Sequence, residues 1–217
     1  LHILDSPSFA RMLRPLCRRV DRRRARKFAE IIRAMLRRLF FAIASACALA
    51  ACSPALNWRS VSIPEAGLTL SLPCKPEHAT RPVDLGRGPV ELAMTGCEAD
   101  GATFAVSHLL LADPSQAGAT LGVWRAAVRG RMQAEPPDGP HARFVPARAL
   151  DLPQSVRMAA RGRAPDGSAV AAEAVWFARL EGTQARLYHA VVYTREPHRT
   201  RGEAAAGTFF DALVLQP

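Results

Sequence analysis

The chain of 217 residues has no apolar run long enough to cross a bilayer. Its longest uncharged apolar stretch, Leu39 to Ala51, covers 13 residues, whereas a spanning helix needs about 20. That excludes a transmembrane anchor there. Lysine is almost missing: Lys27 and Lys75 stand alone among 29 basic residues. The arginine and alanine bias reads as a GC-rich coding sequence, not as phosphate recognition. No His-Glu-x-x-His, no Gly-x-Ser-x-Gly and no phosphate-cradling glycine loop occurs, so the patterns that identify common hydrolases and nucleotide binders are absent. No Cys-x-x-Cys pair and no internal repeat is found either.

What is present is 49% hydrophobic and 22% charged residues, a composition that excludes a disordered chain. The formal net charge of +10 points, taken whole, to a nucleic acid or a membrane surface. Its distribution points elsewhere. Residues 1–51 hold 12 basic and three acidic residues, a balance of +9, and the remaining 17 basic and 16 acidic residues leave +1. The 166 residues from Cys52 onward suit one domain with a proper core.

The first quarter divides in two. Met35-Leu36-Arg37-Arg38 and the apolar run behind it have the proportions of a signal peptide over 35–51. The run ends in Leu49-Ala50-Ala51-Cys52, an aliphatic residue, two small residues and a cysteine. This resembles the lipobox of bacterial lipoproteins. The resemblance implies cleavage before Cys52 by signal peptidase II, a diacylglycerol on its thiol and an acyl group on its new amino terminus. Several acyl chains anchor stably where one is marginal. The alternative is an ordinary secretory signal with Cys52 as a plain thiol. Ser53 follows the cysteine instead of the aspartate that retains enteric lipoproteins in the inner membrane, so the implied destination is the periplasmic face of the outer membrane. Residues 1–34 read as a mis-called extension upstream of Met35. A basic cytoplasmic arm around Arg18 to Lys27, touching nucleic acid or anionic lipid, is the alternative.

On that reading Cys17 and Cys47 are removed and Cys52 is lipidated, which leaves Cys74 and Cys97 as an even pair in an oxidising compartment. A disulfide is expected, the alternative being two buried thiols. Its loop entropy amounts to about 3 kcal/mol. A zinc site is not expected, since His78 is the only histidine between them.

Residues 52–57 read as a tether and 58–217 as one domain. Period-two alternation marks strands at Trp58–Ile63, at Leu68, Leu70 and Leu72, at Val90, Leu92 and Met94, and at Phe104, Val106, His108 and Leu110. The turns are Pro64-Glu65-Ala66-Gly67 and Ala99-Asp100-Gly101. Leu121, Trp124, Val128 and Met132 then recur at helical spacing, which predicts a helix over Thr120–Gln133, with Thr120 as its N-cap. Arg125, Arg129 and Arg131 occupy its other faces. Further strands carry Val156, Met158 and Ala160, then Val170 to Trp176, then Leu187 to Tyr193, joined at Asp166-Gly167 and Gly182. Arg143 to Leu150 is a possible extra strand. A last helix, Glu203 to Leu213, packs down Phe209, Phe210 and Leu213. The whole is α+β: an antiparallel sheet of about seven strands with a mid-chain and a C-terminal helix packed on it. The strand ending at Pro73, the helix at Trp124, the Asp166-Gly167 hairpin and the closing Phe209-Phe210 helix together resemble the PsbP-like fold. That resemblance implies a binding or assembly role over most of residues 58–215.

Candidate site residues are few. His108 and His189 lie in strands in phase with apolar neighbours and could approach each other as base or ligand, or simply be buried histidines with one hydrogen bond each. His78, His141 and His198 fall in proline-rich loops and read as solvated. Gly86-Arg87-Gly88 reads as a turn. Ser107 and Ser155 lack a nucleophile context. Arg157, Arg161 and Arg163 alternate along one strand and, with Arg186, could form a basic stripe for an anionic glycan or headgroup, or an ordinary solvated face. Trp58, Trp124 and Trp176 read as packing residues, the last two as partners.

The expected function is a non-catalytic binding or assembly role at the envelope, with the membrane reached through acylated Cys52, an envelope protein or glycan as partner, no nucleic acid and no cofactor. A periplasmic hydrolase using His108 or His189 is the alternative, and nucleic-acid or anionic-lipid binding through the N-terminal arm is another.

Overall fold

The computed structural model describes residues 55–86, 88–136, 141–195 and 199–217, with backbone alone at 199–201. The segments 1–34 and 35–51, and with them Cys52, lie outside these residues, as do Arg87, residues 137–140 and His198.

The elements run β1 (Arg59–Ile63), β2 (Leu68–Leu72), β3 (Glu77–Asp84), β4 (Pro89–Ala99), β5 (Ala102–Leu111), α1 (Ala117–Arg131), β6 (Ala142–Arg143), β7 (Val156–Arg163), β8 (Ala169–Glu181), β9 (Gln184–Arg195), α2 (Arg199–Asp211) and β10 (Val214–Leu215). They make a seven-stranded sheet in the order β3-β4-β5-β9-β8-β7-β6 and a three-stranded sheet in the order β1-β2-β10. All pairings are antiparallel. The class is α+β, as the alternating patterns and the two helices imply.

The turn chemistry explains the meander. Asp100 and Gly101, at φ 48° and 73°, join β4 to β5 as a two-residue turn, the geometry whose twist matches the flanking strands. Gly182, at φ 59°, does the same for β8 and β9 with Thr183. Between β7 and β8 the Asp166 carboxylate accepts from the Ser168 backbone and hydroxyl. At Gly67, φ 50°, a Cβ would stand 2.1 Å from the Arg179 guanidinium; only glycine meets both the turn and the close approach.

Three expectations are corrected and one strand is added to them. The added strand, β3, carries no apolar alternation, because it is the exposed edge of the large sheet. Pro82 fits an edge strand, and the charged side chains Glu77, Arg81 and Asp84 guard that edge. Of the suspected strand Arg143 to Leu150 only Arg143 pairs with β7, as the second residue of the two-residue β6; Arg148 turns the chain at φ 72°. The mid-chain helix starts at Ala117, so Thr120 is a buried helix residue, not the cap. Asp113 instead caps the 3-10 turn Pro114–Gln116, accepting from the Ser115 N–H. Finally, β1, β2 and β10 leave the main sheet and form a separate one.

The large sheet is covered on both sides. On one face Phe104, Val175, Phe177, Tyr188 and Val192 meet β2 and α2, where Phe209 and Phe210 are buried. On the other, Leu109, Trp176, Leu187 and Met158 meet Leu121 and Trp124 of α1. Central strands β8 and β9 are thus buried on both faces, which is why Ala174-Val175-Trp176-Phe177-Ala178 is a continuous buried run.

Candidate functional site

The two faces differ in how they are closed. Beneath β1, β2 and α2 the closure is held by directional bonds. Cys74 and Cys97 form a disulfide, with Cα atoms 5.8 Å apart, that ties the chain just after β2 to β4. The buried Tyr188 hydroxyl donates to the Ala66 carbonyl at 2.6 Å. Arg179 donates to the Gln216 carbonyl at 3.0 Å and, with Arg186, to the Glu181 carboxylate. Burial pushes the Glu181 carboxyl up, but the hydrogen bonds from Arg186 and Arg179 outweigh it and hold the group below its ordinary value. The Arg186 guanidinium also donates to His108 Nδ1 at 3.2 Å. His108 is 3% exposed, and burial, then the Arg186 charge, lowers its pKa.

His189 lies on the opposite face. Its cross-strand partners are Ser107 and Trp176, whereas His108 pairs with Tyr188. Since neighbours along a strand alternate sides, the sheet stands between the two imidazoles, and the expected approach of His108 to His189 does not occur. His189 stacks on Trp176 at 4.6 Å and meets Trp124 edge-on at 5.5 Å. The two indoles expected to partner each other therefore meet through this ring. Burial alone lowers the His189 pKa to about 3, and its Nε2 has no hydrogen-bond partner among the described residues.

His189 also lines a groove of about 680 Å³ between α1 and the β4–β5 end of the sheet, within the range of small-molecule sites. Met94, Ala105, Ser107 and Val191 form its floor, and Trp124 and Val128 of α1, with Met132 just past its end, form its wall. The floor is deep because Thr103, Ala105 and Ser107, small residues in alternation, occupy the α1 face of β5 while Phe104, Val106 and His108 fill the other. Tyr193 lines one side, its phenol pushed up by burial. Arg81, Arg131, Arg163 and Arg195 stand around the groove with Glu98 and Asp100. Sequence reading missed this site by following only the larger side chains of β5; the signal it left is the small-residue alternation on the same strand.

The remaining candidates are placed as follows. Two arginines of the expected stripe are ion-paired: Arg157 pairs with Glu173 at 2.5 Å and lies over the Phe210 ring, and Arg186 pairs with Glu181, while Arg163 keeps its charge and donates to the Gly167 carbonyl. Arg161 lines a smaller cavity of about 310 Å³ with Glu135, Glu173 and Glu203. His78 is not in a loop but in β3, 2.9 Å from Thr95 Oγ1. His141 is half-buried, with its pKa lowered by burial and by Arg125 and Arg129. Gly86 and Gly88 both donate to the Asp84 carboxylate in a turn, at φ 87° and 91°. Ser155 is wholly buried and donates to the Leu150 carbonyl. Trp58 packs edge-on against Phe104. No three of His, Cys, Asp and Glu converge among the described residues. The chain matches no protein-family model, and no curated protein is similar to it in sequence.

Proposed function

We propose that the protein is a lipid-anchored component of a bacterial envelope with a non-catalytic binding role, anchored through Cys52 on the periplasmic face of the outer membrane. The groove beside α1 is its binding face. The anchor rests on the Leu49-Ala50-Ala51-Cys52 pattern behind a basic and apolar segment. A Cys74–Cys97 disulfide suits an oxidising compartment. The binding role rests on one observation: an apolar groove of about 680 Å³ with a buried, unpartnered imidazole nitrogen in its lining residues. Such concave apolar sites with a few polar groups are where ligands bind. The histidines of the enzymatic alternative, one on each side of the sheet, cannot act jointly.

Two measurements test this. Radiolabelled palmitate is expected to enter the wild-type protein and not Cys52→Ser; no incorporation into either overturns the anchor. A photoreactive residue at Thr103, in the groove, is expected to crosslink more than one at exposed Glu77 on the sheet edge. Equal or reversed crosslinking overturns the groove as the binding face.

A further inference from the structure

We infer that the groove takes an anionic amphiphile: an apolar chain along its floor and a carboxylate or phosphate head among the arginines at its rim. The inference rests on the reading of the groove as the binding face. Its first ground is the mixture of surfaces. Met94, Ala105, Val191, Val128 and Met132 offer only apolar contact, and covering them releases water at about 25 cal/mol per Å². Its second ground is charge. Four guanidinium groups, Arg81, Arg131, Arg163 and Arg195, face two carboxylates, Glu98 and Asp100, among the lining residues. Asp166 lies 3.6 Å from Arg195 in an exposed pair, so with it counted the four arginines exceed the carboxylates by one. An excess of one sign in a cleft between low-dielectric walls draws in the opposite charge. Guanidinium is also the side chain best shaped to bind carboxylate or phosphate through two parallel hydrogen bonds.

The arginines come from four places, β3, the end of α1, the end of β7 and the end of β9. They are brought together by the fold and not by a run in the sequence. An uncharged or cationic ligand would leave this convergence unused. A carboxylate head and a phosphate head make the same demands on it, so the choice between a free fatty acid and a monoacyl phospholipid is left to the experiment.

The probe is cis-parinaric acid added to the purified full chain, read by energy transfer from the tryptophans, of which Trp124 stands at the groove wall. Dodecanoate and dodecyl phosphate are expected to displace it, with dodecyltrimethylammonium at least tenfold weaker. The stronger of the two anions identifies the headgroup. The double variant Arg81→Glu/Arg131→Glu changes two exposed side chains. It is expected to lose at least tenfold in affinity for the anions and none for dodecanol. Ala105→Trp is expected to block every ligand while far-ultraviolet circular dichroism stays unchanged. Failure of parinarate to bind, equal displacement by the cation, or unchanged anion affinity in the double variant overturns the inference. If it falls while Thr103 still crosslinks preferentially to a protein, the amphiphile is wrong and the groove remains the binding face. If neither occurs, both fail.

Discussion

Replacing His189 with leucine isolates the electrostatic cost of the one imidazole packed between two indoles. In the folded chain its pKa is lowered to about 3 by burial alone, against an ordinary value of about 6.5. The folded state therefore refuses a proton that the unfolded state accepts. Its contribution is neutral above about pH 6.5 and turns against folding as pH falls, by about 1.4 kcal/mol per unit, until the folded group itself protonates near pH 3. Between pH 7 and pH 5 the loss is about 1.9 kcal/mol. His189→Leu keeps an apolar side chain between Trp124 and Trp176 and removes that loss. At pH 7 the variant forfeits ring stacking worth about 0.5–1.5 kcal/mol but also removes an unpartnered buried nitrogen of comparable cost, so the two effects nearly cancel. The assay is urea unfolding followed by tryptophan fluorescence at pH 7 and pH 5. The wild type should lose about 1.9 kcal/mol more across that interval than the variant. His108, whose pKa is also lowered, adds its own acid slope to both proteins and drops out of the difference. Equal slopes would show that His189 reaches solvent or a proton partner in the folded chain, and the account of a dry, unpartnered imidazole would fall.

Three further outcomes follow from the other face. Cys97→Ser, or reduction of the bridge, should cost about 3 kcal/mol through a loop of 23 residues' separation. In calorimetry that is about 10 °C of Tm for a domain of this size; an unchanged Tm under reductant would refute it. Glu181→Gln leaves Arg179 and Arg186 without their shared carboxylate and should cost about 2 kcal/mol in denaturant unfolding, whereas Glu173→Gln, which serves one arginine that is itself more exposed, should cost under about 1 kcal/mol. Gly67→Ala should destabilise by more than the ordinary glycine penalty of about 1 kcal/mol, because its Cβ meets the Arg179 guanidinium; an Arg179→Ala background should relieve part of that loss, and an unrelieved loss would assign the effect to backbone conformation alone.

Much of this architecture was legible because it is written in local chemistry. Leu68, Leu70 and Leu72 alternate against Thr69 and Ser71, and β2 buries the leucines. Asp100-Gly101 and Gly182 announced their hairpins because each turn needs positive φ. Cys74 and Cys97 were legible by elimination. What was hidden is non-local. Strand β3 is held by pairing with β4 and has no buried face, so Glu77 to Asp84 carries no pattern to read. The departure of β1, β2 and β10 into their own sheet depends on Val214-Leu215 returning to Thr69 and Leu68, a contact no window of sequence contains. The side of the sheet taken by each histidine was implicit in register: once Ser107 pairs with His189, His108 must face away from it. The groove was hidden for the same reason, since it is made by small residues whose meaning appears only when α1 is laid over them.

The asymmetry of the two faces bears on where binding can occur. The bonds that lock the domain, namely Cys74–Cys97, Tyr188 to Ala66, Arg179 to Gln216 and Arg148 to Leu215, all close the side of β1, β2 and α2. A ligand entering there would have to break directional bonds, each with its own desolvation cost. On the side of α1 the end of the helix is tied to β7 by Arg163 N–H to the Met132 carbonyl and Glu135 N–H to the Arg161 carbonyl, while along the groove itself Trp124 and Val128 offer apolar contact, which is non-directional. Extending that packing onto a ligand chain requires no bond to be broken. Among the described residues, His189 Nε2 and Trp176 Nε1 lack partners on this side, as His108 Nε2 does on the other. An unpartnered buried nitrogen costs stability in the free protein, and a ligand that supplies a partner would recover that cost as affinity. Of the four buried side-chain polar atoms without a partner among the described residues, His189 Nε2 is the one whose residue lines the groove, while His108 Nε2 lies on the opposite face and Trp176 and Thr120 lie outside the lining, so His189 is the group whose burial cost a ligand in the groove would offset.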